Sequence, residues 1–79
     1  MIFKEFQQVA LAKDIPENNL RRGDLATIVE IHPANGGEVG YSIEIFNALG
    51  ETIAVTTVPE SALEELTANE ILHVRSLTG

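Results

Sequence analysis

Short apolar runs, several rich in β-branched residues, recur along this chain, separated by turn residues at roughly every 8–15 positions. That rhythm leaves room for strands but for no long amphipathic helix. The first run covers residues 7–12, with Val9 and Leu11 on one face. A second, residues 25–31, contains Thr27, Ile28, Val29 and Ile31, whose stiff side chains favour the pleated conformation. Residues 41–47 alternate Tyr41, Ile43 and Ile45 against Ser42, Glu44 and Phe46, and a fourth run follows at residues 52–58.

The connections are equally explicit. Pro16, Asn18 and Asn19 make residues 13–19 a loop, with Leu20 tucking back beneath it as an apolar anchor. Gly23-Asp24 opens the second strand, and Pro33-Ala34-Asn35-Gly36-Gly37 turns into the third. Ala48-Leu49-Gly50-Glu51 joins the third strand to the fourth as a hairpin. Pro59 halts that strand. Ser61-Ala62-Leu63-Glu64 fits a capping box, giving one helical or 3-10 turn with Leu63 and Leu66 inward. The pattern then predicts a last strand at residues 71–76, where Leu72 and Val74 alternate with His73 and Arg75.

Five strands, a long loop after the first, a tight hairpin between the third and fourth and one short turn before the last predict an all-β fold, a small five-stranded SH3-like barrel. An OB-like barrel is the rival, but it wants a helix where this sequence has only the hairpin. Residues 1–79 form one domain in this reading, since a chain so short hides only about 60–65% of its unfolded surface and has little left for a deep pocket. The hydrophobic fraction of 44% suffices for one core and argues against disorder.

Absence of cysteine excludes a disulfide framework and a thiolate metal site, and suits a reducing compartment. The N-terminus does not read as a secretory signal, and no run approaches the about 18 apolar residues of a membrane span. The expected location is the cytoplasm. The net charge is −7, and no lysine or arginine occurs between Arg22 and Arg75. Nucleic acid is held chiefly by basic residues, so this surface repels it. It suits solubility, or a partner with a basic face.

The segments Asp14-Ile15-Pro16, Leu20-Arg21-Arg22-Gly23-Asp24, Thr27-Ile28-Val29-Glu30, Tyr41-Ser42-Ile43-Glu44-Ile45-Phe46 and Gly50-Glu51-Thr52 resemble a family of small bacterial proteins known only as a domain of unknown function. The likeness spans most of the chain, from Val9 to Leu66. It implies a small barrel, SH3-like or KOW-like, and no activity. Gly23-Asp24 before a β-branched strand is also similar to the KOW motif of ribosomal and elongation factors, although the further basic residues of that motif are missing here.

No constellation points to catalysis, a cofactor or a metal. His32 and His73 are isolated, without ligand-type spacing. Ser42, Ser61 and Ser76 have no base and orienting group beside them in sequence. The glycines of residues 35–40 precede a strand rather than the helix a phosphate loop needs. Glu64 and Glu65 read as a solvated acidic edge, and Arg21-Arg22 as a loop pair neutralised by Asp14, Glu17 and Asp24.

The hairpin of the third and fourth strands stands apart because both of its faces are partly apolar. Ile53 and Val55 lie on one side of the fourth strand, Ala54 and Val58 on the other. A barrel has one inside, so one face needs a cover: a partner, a second copy, or the terminal Ile2, Phe3 and Phe6. Candidate interface residues are Tyr41, Ile43, Phe46, Ile53 and Val55, with only one of Tyr41 and Phe46 able to be core. The expected function is a non-enzymatic, acidic protein-binding module that self-associates or engages another, basic protein. The alternative is a KOW-like nucleic-acid-binding domain.

Overall fold

A computed structural model describes residues 2–34 and 36–77. Asn35, part of the expected turn at residues 33–37, lies outside them. The strands are β1 (Gln8–Leu11), β2 (Leu25–His32), β3 (Gly40–Phe46), β4 (Thr52–Pro59) and β5 (Leu63–Glu65), with 3-10 turns at Pro16–Asn18 and Glu60–Ala62. They form one antiparallel sheet in the order β4-β3-β2-β1-β5. The fold is all-β, as the spacing predicts. Its strand order is compatible with an SH3-like barrel, although β4 and β5 do not pair and the sheet stays open.

Alternation decides which side chains enter the core. Tyr41, Ile43 and Ile45 of β3 are buried, while Phe46 is exposed. Val9 and Leu11 of β1 and Ala26 and Ile28 of β2 join them from the same side. Fully hiding each large side chain contributes about 1.5–3 kcal/mol, so five that are wholly buried dominate the stability of so small a body. Leu20 is buried and bridges to Ile15 across the loop, as its anchoring role requires. Two register shifts, at Ile28/Glu30 and at Ile45/Phe46, add local twist and help the sheet coil over this core.

The turns obey local chemistry. Asn47 caps the β3–β4 connection: its carbonyl Oδ1 accepts from the N–H groups of Leu49 and Glu51, both at 2.9 Å. Its Nδ2 donates to the Glu51 carboxylate at 2.8 Å. Gly50 sits there at φ +83°, a conformation that β-carbon sterics deny most residues.

The last strand lies earlier than the sequence pattern predicts. β5 is Leu63–Glu65, and residues 71–76 form no strand. The capping box does not form either. The N–H and Oγ of Ser61 both donate to the Glu38 carboxylate, at 3.0 and 2.9 Å, so the turn ends after Ala62 and Leu63 enters the sheet opposite Leu11. A strand needs a neighbour as well as alternation. The free side of β1 is taken by Leu63–Glu65, and residues 71–76 pair with no strand.

Candidate protein-binding surface

The two edges of the sheet differ in length and charge. β5 is three residues long, and two of them are Glu64 and Glu65. β4 runs for eight residues, Thr-Ile-Ala-Val-Thr-Thr-Val-Pro, without a single charge. Along β4 the backbone groups alternate between facing β3 and facing outward. The Glu60 N–H, just beyond the strand, donates to the Val39 carbonyl at 2.9 Å. Counting back by twos, Val58, Thr56 and Ala54 face β3, so Val55 and Thr57 direct their N–H and C=O groups to the open side. Pro59 ends the edge because it has no N–H.

Side chains beside this edge are apolar and exposed. Phe46 is 45% exposed, Ile53 40% and Val55 60%. These are three of the five residues that patterning marks as candidate interface. Tyr41 and Ile43, the other two, are fully buried, so Tyr41 is the core aromatic and Phe46 the surface one. The N-terminal residues Ile2, Phe3 and Phe6 do not cover these side chains. Phe3 packs inside, edge-on to Tyr41 at 5.5 Å and 73°, whereas Ile2 and Phe6 are themselves exposed.

Burial raises the Tyr41 hydroxyl above its ordinary pKa, reinforced by the bond it donates to Glu60 Oε2 at 2.5 Å. That hydroxyl and the Ile2 N–H, 3.2 Å away, hold Glu60 below the usual carboxylate range. On the outer face a polar ladder crosses three strands. His32 Nε2 lies 2.7 Å from Ser42 Oγ, which lies 3.1 Å from Thr57 Oγ1, and Glu30 is 4.0 Å from the same His32 nitrogen. A hydroxyl and an imidazole thus meet that sequence spacing does not bring together, because the pairing of β2 with β3 sets them side by side. Glu30 approaches Nε2, the nitrogen already engaged with Ser42, and so does not orient the ring as the third member of a nucleophilic triad does.

Beyond β5, the segment from Thr67 to Leu77 returns to the loop that precedes β2. Arg75 fixes it. Its Nε and Nη2 donate to the two oxygens of Asp24 at 2.7 and 2.5 Å, and Nη2 also reaches the Asn19 carbonyl at 3.1 Å. Asn19 Nδ2 in turn donates to the Leu77 carbonyl at 2.8 Å. The Arg75 guanidinium holds Asp24 below its ordinary pKa, and the Arg21 N–H, 2.8 Å away, adds to this against the opposing effect of burial. Between the segment and the sheet runs an open cleft of about 750 Å³, with Leu25, Phe46 and Ile53 on one wall and Leu72 and Val74 on the other.

Sequence proximity suggests that Asp24 neutralises the Arg21-Arg22 pair, but its carboxylate is claimed mainly by Arg75, 51 residues away. Asp14 accepts from the Arg22 backbone N–H at 2.8 Å. Gly23, at φ +92°, and Asp24 therefore act in the turn that opens β2 and in docking the C-terminal segment. Among the described residues no cluster of histidine and carboxylates could hold a metal ion, and no helix is long and apolar enough to cross a membrane.

These features define a small all-β domain built on one open five-stranded antiparallel sheet. Over residues 5–65 the chain matches the model of a domain of unknown function, DUF4926, and it belongs to that family. The match takes in all five strands and leaves the Arg75 segment outside. No curated protein and no solved structure matches the chain.

Proposed function

We propose that this protein is a non-enzymatic, cytoplasmic binding module whose target is another protein. The observation that carries the reading is the uncharged β4 edge with Phe46, Ile53 and Val55 exposed beside it. Proteins ordinarily blunt an edge of this length with a charge, an interior proline or a cover, since an open row of N–H and C=O groups recruits other strands. Nothing among the described residues pairs with β4 on its open side. Acidic residues keep the molecule soluble and leave the apolar strip as an adhesive element beside this edge.

A KOW-like nucleic-acid role finds less support. Its basic cluster is Arg21-Arg22 alone, and the β2–β4 half of the sheet adds only carboxylates. The test is light-scattering sizing of the purified protein, together with capture from native lysate by wild type and by Val55→Lys. A protein retained by wild type and lost by the variant is the expected result. A strict monomer whose captured proteins are the same in both contradicts the reading.

A further inference from the structure

We infer that β4 receives a sixth strand from its partner, and that this strand is apolar at alternate positions and flanked by lysine or arginine. The inference rests on the protein-binding reading above and adds the mode of docking and the chemistry of the target.

Three observations converge on it. First, Val55 and Thr57 aim their backbone groups outward from an edge strand that has neither a charge nor an interior proline, so the hydrogen bonds that strand addition needs are waiting. Second, Ile53 and Val55 are 40% and 60% exposed on the outer face, offering apolar neighbours to the residues of an added strand that point to the same side. Third, the charged side chains around this edge are carboxylates. Glu44 pairs across from Val55, Glu51 and Glu60 flank the two ends of the strand, and Glu30 and Glu38 lie on the same half of the sheet. No lysine or arginine occurs anywhere from β2 to β5 to balance them.

That third observation separates a foreign basic strand from a second copy of this chain. Two copies meeting edge to edge would bring both sets of carboxylates to one seam, and like charges across an interface oppose association. A strand with basic flanks meets the same carboxylates as attraction. Its uncharged middle matches the uncharged middle of β4.

The probe is a short synthetic peptide of alternating valine and threonine with paired lysines at each end, set against a twin with paired glutamates. Amide hydrogen exchange and chemical shifts of the full-length protein report where each binds. The lysine peptide is expected to bind more tightly than its twin, by about tenfold or more at low ionic strength. It should slow exchange of the Val55 and Thr57 amides and weaken as salt is added. Thr57→Pro removes one outward donor and Val55→Lys places a charge on the edge; each should cost at least about tenfold in affinity. The unbound variants should keep the wild-type spectrum elsewhere, and Val55→Lys serves alone if the proline disturbs the strand.

Equal affinity for the two peptides overturns the basic-partner assignment. Protection that maps to Leu25 and Leu72 overturns the docking mode while leaving a protein-binding module in place, and so does failure of both peptides while lysate capture stays sensitive to Val55→Lys. Dimerisation of the protein alone through β4, strengthening with salt, assigns the edge to a second copy instead and likewise overturns the inference.

Discussion

The two edges of this sheet show opposite solutions to one problem. β5 is three residues long, and its Glu64 and Glu65 discourage any further strand. Its Leu63 meanwhile faces inward and is 6% exposed, so that edge serves the core. β4 has eight residues, no charge, and large apolar side chains turned to solvent. A chain that can blunt one edge with two glutamates has the means to blunt the other. Leaving β4 bare exposes the protein to aggregation, and the contrast is the reason to assign that edge a partner.

Substitutions can break the comparison. The largest effect belongs to the core side of the same hairpin. Tyr41→Ala should remove about 3–5 kcal/mol and unfold a domain this small, whereas Phe46→Ala should leave the melting transition nearly in place. Circular dichroism melts of the two variants read the difference directly. The edges themselves come next. Leu63→Ala on β5 should destabilise by about 2–5 kcal/mol, since it opens a cavity opposite Leu11, while Val55→Ala on β4 should stay within about 0.5 kcal/mol. Comparable losses at both sites, measured by denaturant titration, would mean that β4 serves the core as β5 does.

A smaller effect concerns the C-terminal segment. Arg75→Ala removes a two-bond ion pair at the surface, for which about 1 kcal/mol is expected, or roughly 4–8 °C in melting temperature. Asp24 sets the pH dependence of that contact. Its folded pKa lies below the ordinary 3.8, so the stabilisation is complete above that value and is lost as pH falls through the lowered folded value. In Arg75→Ala this acid-side loss should shrink. An unchanged acid limb would show that the Asp24–Arg75 pair does not anchor the segment.

Local chemistry made much of the fold legible. β-Branched runs mark β2 and β4, Asn47 and Gly50 mark the hairpin, and alternation divides Tyr41 from Phe46 onto opposite faces. What depends on distant partners was not legible. Ser61 and Glu64 carry a helix-capping pattern, but Glu38, 23 positions away in sequence, takes the serine. Residues 71–76 alternate like a strand, yet β1 has already paired with Leu63–Glu65. Arg75 reaches Asp24, and Ser42 meets His32, only because the sheet brings them together. The apolar strip of Phe46, Ile53 and Val55 was readable from alternation, and its place at an uncharged edge followed only from the strand order.

Whether the β4 edge is open in the free protein is best measured by amide hydrogen exchange on a dilute sample. An open edge predicts fast exchange at Val55 and Thr57, whose N–H groups face no strand among the described residues, beside slow exchange at Ala54, Thr56 and Val58, which are tied to β3. Protection of all five amides at a concentration where the protein is monomeric would contradict it, because the edge would then already be covered by the chain itself.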